Sequence, residues 1–72
     1  MPAKNSNHKI VTGEMINYVS MLSHGHTVAE IAQHYELKVK TLEAALLAAR
    51  KNFNVRSAAH LVGYFMRNNL IK

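Results

Sequence analysis

TVAEIAQHYELKVKTLEAALLAA, residues 27–49, reads as a short helix, a tight turn and a longer helix. Thr27 with Glu30 three residues on is a capping box, in which the hydroxyl and the carboxylate each satisfy one free backbone N–H. Ile31 and Ala32 then point inward, and this helix ends near Tyr35. Glu36 and Leu37 make the turn. The next helix runs from about Lys38 into Asn52 and carries Leu42, Leu46, Ala49 and Phe53 on one face. Two helices crossing over so short a turn leave the second proud of the body, shaped to enter a major groove. A helix-turn-helix over about residues 27–52 is the expectation, with duplex DNA as the first partner to consider.

The flanks extend this plan. Thr12 caps an upstream helix reaching Leu22, with Glu14 in the first turn, where the helix dipole favours an acid. Met15, Tyr18, Val19 and Leu22 recur at i, i+3, i+4, i+7 and form its inward stripe; Gly25 stops it. Asn54, a residue that tolerates the left-handed conformation, ends the third helix. Ser57 caps a fourth, with Ala58, Leu61, Val62 and Phe65 facing inward, and Leu70 and Ile71 return over the base of the core. Residues 1–10 are polar and basic and read as a flexible arm; residues 11–72 form one all-α, four-helix domain.

Composition narrows the function classes. Seventy-two residues make one small core, and a hydrophobic share of 49% is enough to fill it with apolar surface to spare. No cysteine is present, so disulfides and thiolate metal sites are excluded, and a reducing compartment fits. No apolar run approaches the ~20 residues of a membrane span, and residues 1–9 carry no signal-peptide core, so a cytoplasmic location without membrane contact is expected. Nine Lys and Arg against four acids give a net charge of +5, which favours a polyanionic partner. Five histidines include His24 and His26 with His34 nearby, but their spacing is unlike a zinc pattern, so no metal and no cofactor are expected. The four acids are scattered and form no catalytic pair; no enzyme is expected.

The order of these features resembles the LuxR-type (GerE-like) DNA-binding domain of bacterial transcription regulators. The resemblance runs from about Val11 to Ile71 without a gap. It is carried by Val11-Thr12, Met21-Leu22 with Gly25, Thr27, Glu30-Ile31-Ala32, and Leu37 before Lys40-Thr41-Leu42. Leu46, Phe53, Val55-Arg56, Val62 and Leu70-Ile71 complete it. It implies a four-helix LuxR-type helix-turn-helix bundle, with the third helix in the groove and the fourth often used for dimerisation. The sequence departs from the family pattern at Asn17, where Glu is usual, and at Glu36, where the family has Gly at a turn position that often needs positive φ. The groove-facing side, polar in the family, is here Glu43, Ala44, Ala45 and Leu47.

The candidate DNA-binding residues are therefore Thr27, Lys38, Lys40, Thr41, Glu43, Ala44, Leu47 and Lys51. Lys38, Lys40 and Thr41 stand where side chains and free N–H groups of a helix start can grip phosphate. Lys51, with Arg50 and Arg56, lies near the far end, where cations suit the dipole in any case. Glu43 can accept from cytosine N4, while Ala44 and Leu47 can touch thymine methyls. On the fourth helix His60, Gly63, Tyr64 and Arg67 are expected to line the side opposite the core and to form a homodimer interface, Gly63 allowing close backbone approach. The sequence thus predicts a transcription regulator binding duplex DNA as a dimer. The alternative is a protein-interaction module that keeps the scaffold and presents its Ala-Leu face to a protein partner.

Overall fold

The computed structural model describes residues 11–72; the expected arm, residues 1–10, lies outside the described residues. Four helices follow one another: α1 (Gly13–Ser23), α2 (Val28–His34), α3 (Val39–Asn52) and α4 (Ala58–Arg67), with no strand among the described residues. The fold is all-α. All four helices begin about where expected, three of them on the expected hydroxyl caps. The Thr12 hydroxyl accepts from Met15 N–H at 3.1 Å and the Ser57 hydroxyl from His60 N–H at 3.0 Å. At α2 the box is complete: Glu30 N–H donates to Thr27 Oγ1 at 3.1 Å, and Thr27 N–H donates to Glu30 Oε1 at 2.9 Å.

All four helices also end in one way, the paired hydrogen bonds of the Schellman motif around a left-handed residue. His26 N–H donates to the Met21 carbonyl at 3.1 Å, Leu37 to Ala32 at 2.8 Å, Val55 to Arg50 at 2.9 Å and Leu70 to Phe65 at 2.8 Å. The left-handed residues are Gly25 (φ 91°), Glu36 (φ 57°), Asn54 (φ 58°) and Asn69 (φ 60°). Gly and Asn tolerate this conformation, whereas the Cβ of Glu meets the neighbouring carbonyl, so the α2–α3 turn holds backbone strain on the order of 1 kcal/mol. The motif repeats because the residue after each of the last three left-handed turns is apolar: Leu37, Val55 and Leu70 drop back onto the core and fix the exit direction of each helix.

Val19 from α1, Ile31 from α2, Leu42 from α3 and Leu61 and Phe65 from α4 are the largest fully buried side chains, so every helix supplies the centre. α1 packs on α2, α3 and α4, α2 packs on α3, and α3 on α4. Phe53 meets Phe65 edge-on with ring centroids 5.5 Å apart, and Tyr18 meets Tyr35 at 5.3 Å, geometries that the ring quadrupoles favour. The inward stripes differ from expectation in detail. Tyr18 and Val19 are buried, but Met15 and Leu22 are only half-buried at the edge of the core. Ala58 is exposed, because the first turn of α4 lies beyond its buried residues. Val55, not assigned to the core from its spacing, is buried.

Candidate nucleic-acid interface

α3 is held to the body by Leu42, Leu46 and Ala49, each buried, and this rotation decides what its other side shows. Lys40, Glu43, Ala44, Leu47, Ala48 and Lys51 are all exposed, and Leu47 keeps 44% of its surface at mid-helix. The spacing of Lys40, Ala44, Leu47 and Lys51 at i, i+4, i+7, i+11 makes them one ridge along the outer face. Ala45 is not part of it: it is half-buried, lining a shallow depression with Thr12, Met15 and Tyr18 of the α1 end.

The first turn of α3 differs from the other three. Lys38 is the N-cap residue, in extended geometry (φ −73°, ψ 143°), and no side chain among the described residues accepts from the free N–H groups. No acid stands in the first turn; Lys38, Lys40 and Thr41 are exposed instead. Backbone N–H groups and the positive end of the dipole already favour an anion there, and two ammonium groups add to that field. Among the described residues the single ion-pair geometry is His26 Nδ1 to Glu30 Oε1 at 3.7 Å, so no carboxylate neutralises Lys38, Lys40 or Lys51. Bonding from the Thr27 backbone, reinforced by His26, holds the Glu30 carboxyl below the usual carboxylate range, so that acid is committed to α2. Thr27 is committed with it: its hydroxyl oxygen is engaged in the cap.

Arg50 lies beside the far end of the ridge and Arg56 beyond it. The Arg50 guanidinium donates from Nη2 to the Arg56 carbonyl, while its buried Nε has no partner. Arg50 thereby staples the end of α3 to the loop before α4, and Lys51 is left as the exposed cation at that end.

The four residues expected to form a dimer face on α4 are not equivalent. Tyr64 does not face away from the core: it is half-buried with its ring 5.0 Å from that of Phe53, since i+3 from the buried Leu61 lies on the inward side. Exposed His60 accepts at Nδ1 from Arg56 N–H at 3.3 Å, closing the turn ahead of α4. Gly63 is half-buried, and a Cβ built there would meet one atom, Nη1 of Arg67, at 3.2 Å. Arg67 thus lies across Gly63, and only the flexible tip of a side chain covers the open backbone. Met66, 47% exposed, is the large apolar side chain α4 shows to solvent.

Elsewhere the described residues hold no group of three or more His, Asp or Glu converging as metal ligands, and no helix long and apolar enough to cross a membrane. Burial pushes the Tyr18 phenol up, with Glu14 and Tyr35 adding to the shift, which fits a core tyrosine. The features that converge on one surface are the uncapped lysine-bearing start of α3, its apolar ridge and Lys51. No known protein family, curated protein or solved structure matches this chain.

Proposed function

We propose that this chain is a LuxR-type helix-turn-helix regulator of transcription that binds duplex DNA through α3, acts in the cytoplasm and is not an enzyme. The observation that carries the reading is the start of α3: free N–H groups with no side-chain cap, beside Lys38, Lys40 and Thr41 and without a neutralising acid. A phosphate is the ligand that satisfies both the donors and the charges. The α2–α3 turn supports the reading too, since the strained Glu36 conformation preserves the short connection between the two helices. On the ridge Leu47 and Ala44 offer apolar contact to thymine methyls and Glu43 an acceptor for cytosine N4, so base discrimination is modest and phosphate contacts dominate affinity. Homodimerisation through the Gly63 side of α4 goes with this reading, Arg67 swinging aside.

The test is duplex binding as a function of salt. Affinity should fall steeply with ionic strength, and Lys40→Ala should weaken binding on every sequence while flattening the log–log salt slope by about one unit. A chain that binds no duplex at low salt is not a DNA-binding regulator. The exposure of Leu47 between Ala44 and Ala48 favours one second reading, a protein-interaction module with α3 as its docking helix; there Lys40→Ala would leave partner binding intact.

A further inference from the structure

We propose that α3 also pairs antiparallel with α3 of a second copy, across a two-fold axis at Leu47. One register of the outer face pairs opposite charges. Centred on Leu47, residues at equal distances on either side oppose one another, so Glu43 of each copy meets Lys51 of the other. Each pair stands about 6 Å along the axis from the centre. Ala44, exposed beside Leu47, lets the two backbones approach, and the two Leu47 side chains meet at the middle. Two alternatives are charged against themselves. A parallel pair sets Lys40 on Lys40 and Glu43 on Glu43, and an antiparallel pair slipped to match Ala44 with Leu47 sets Lys40 against Lys51. Glu43 and Lys51 are both exposed and neither has an ion-pair partner among the described residues, so the cross-pairs break no described contact.

The contact takes up the ridge that the proposed function gives to the groove, so a second copy and a duplex exclude one another; that consequence rests on the DNA-binding reading, and the pairing itself does not. A single helix pair buries little area, which makes the pairing weak and concentration-dependent. The device would keep α3 covered when the chain is abundant and DNA is not at hand.

Sedimentation equilibrium of the full chain without DNA tests the pairing. The wild type should show a reversible dimer. Glu43→Lys and Lys51→Glu, each placing like charges across the axis, should raise its dissociation constant at least tenfold, and the double swap should restore it. Circular dichroism checks that all three variants stay helical, as exposed positions allow. A wild type that stays monomeric overturns the proposal. So does a dimer indifferent to Glu43→Lys, which another face holds, or a double swap that does not restore association. In a second arm a random-sequence duplex is added. Loss of the Glu43–Lys51-dependent association as duplex binds supports the exclusion, and an association that persists on duplex with its Glu43–Lys51 dependence intact overturns it. If monomeric Glu43→Lys binds no duplex while the charge swap behaves as described, the DNA-binding reading fails and the pairing stands.

Discussion

The first turns of α2 and α3, the two helices joined by one short turn, solve the same chemical problem in opposite ways. At α2, Thr27 and Glu30 accept from each other's N–H groups, an acid sits where the dipole wants one, and the turn asks nothing of its surroundings. At α3 the N-cap is a lysine with no cap bond, a second lysine follows, and among the described residues no acid stands in the first turn or pairs with either. Self-satisfaction makes the first turn part of the scaffold. The second leaves its first-turn donors without a side-chain acceptor among the described residues, and the proposed phosphate contact would supply one.

The sharpest way to break this contrast is to give α3 the cap it lacks. Lys38→Asp supplies an acceptor for the first-turn N–H groups and should raise thermal stability by roughly 0.5–1 kcal/mol. It should also lower duplex affinity by tenfold or more, because one cation is lost and an anion takes the phosphate's place. Calorimetry and a binding titration on the same preparation read both signs, and a variant that loses stability, or keeps full affinity, ends the argument. Removing the cap that α2 has should do the reverse. Thr27→Ala should cost about 1 kcal/mol in chemical denaturation. It should leave the duplex affinity of the folded chain nearly unchanged, because Thr27 serves the cap.

A smaller effect belongs to the turn between them. Glu36→Gly removes the Cβ from a left-handed residue and should stabilise the chain by about 0.5 kcal/mol, the relief of strain being partly offset by the greater freedom of Gly in the unfolded chain. A midpoint that falls instead would mean that the Glu36 side chain has a compensating contact. The smallest change expected is at Leu47. Leu47→Ser on the open face should shift stability by no more than ~0.5 kcal/mol while weakening self-association and the preference for thymine. A loss of several kcal/mol would place Leu47 in the core and rotate α3 away from the face described.

The Glu30 carboxyl adds a pH dimension to the comparison. Its folded pKa lies below its unfolded value, so the stability it contributes is present above the unfolded carboxylate pKa and is lost as pH falls through the folded one. Acidification should therefore loosen the start of α2 and leave the start of α3, which has no carboxylate, unaffected.

Local signals carried much of this molecule. Thr12, Thr27 and Ser57 marked three helix starts because a hydroxyl cap is a contact within three residues, and Gly25 and Asn54 marked ends because left-handed backbone has a residue preference. The period of Leu42, Leu46 and Ala49 fixed which side of α3 is buried and hence that Leu47 is open. Glu36 stood out in the sequence as unsuited to a left-handed turn, and the turn is left-handed there. Tyr64, expected on the side opposite the core as part of a dimer face, is half-buried against Phe53, as its i+3 spacing from Leu61 allows. Ala58, expected to face inward, is exposed: periodicity says which face a residue is on, but not whether another element extends far enough to cover it. Val55 gave its own signal, an apolar residue just past the left-handed Asn54. What the sequence by itself determined, then, is the succession of four helices and their inward faces, since caps, turns and periods act over a few residues. What only the tertiary structure decided is which polar groups find partners across the chain: Arg50 is drawn to the Arg56 carbonyl, His60 to the Arg56 N–H and Arg67 over Gly63. Among the described residues the start of α3 is left without a side-chain partner, because that outcome depends on how distant side chains compete for the same small surface.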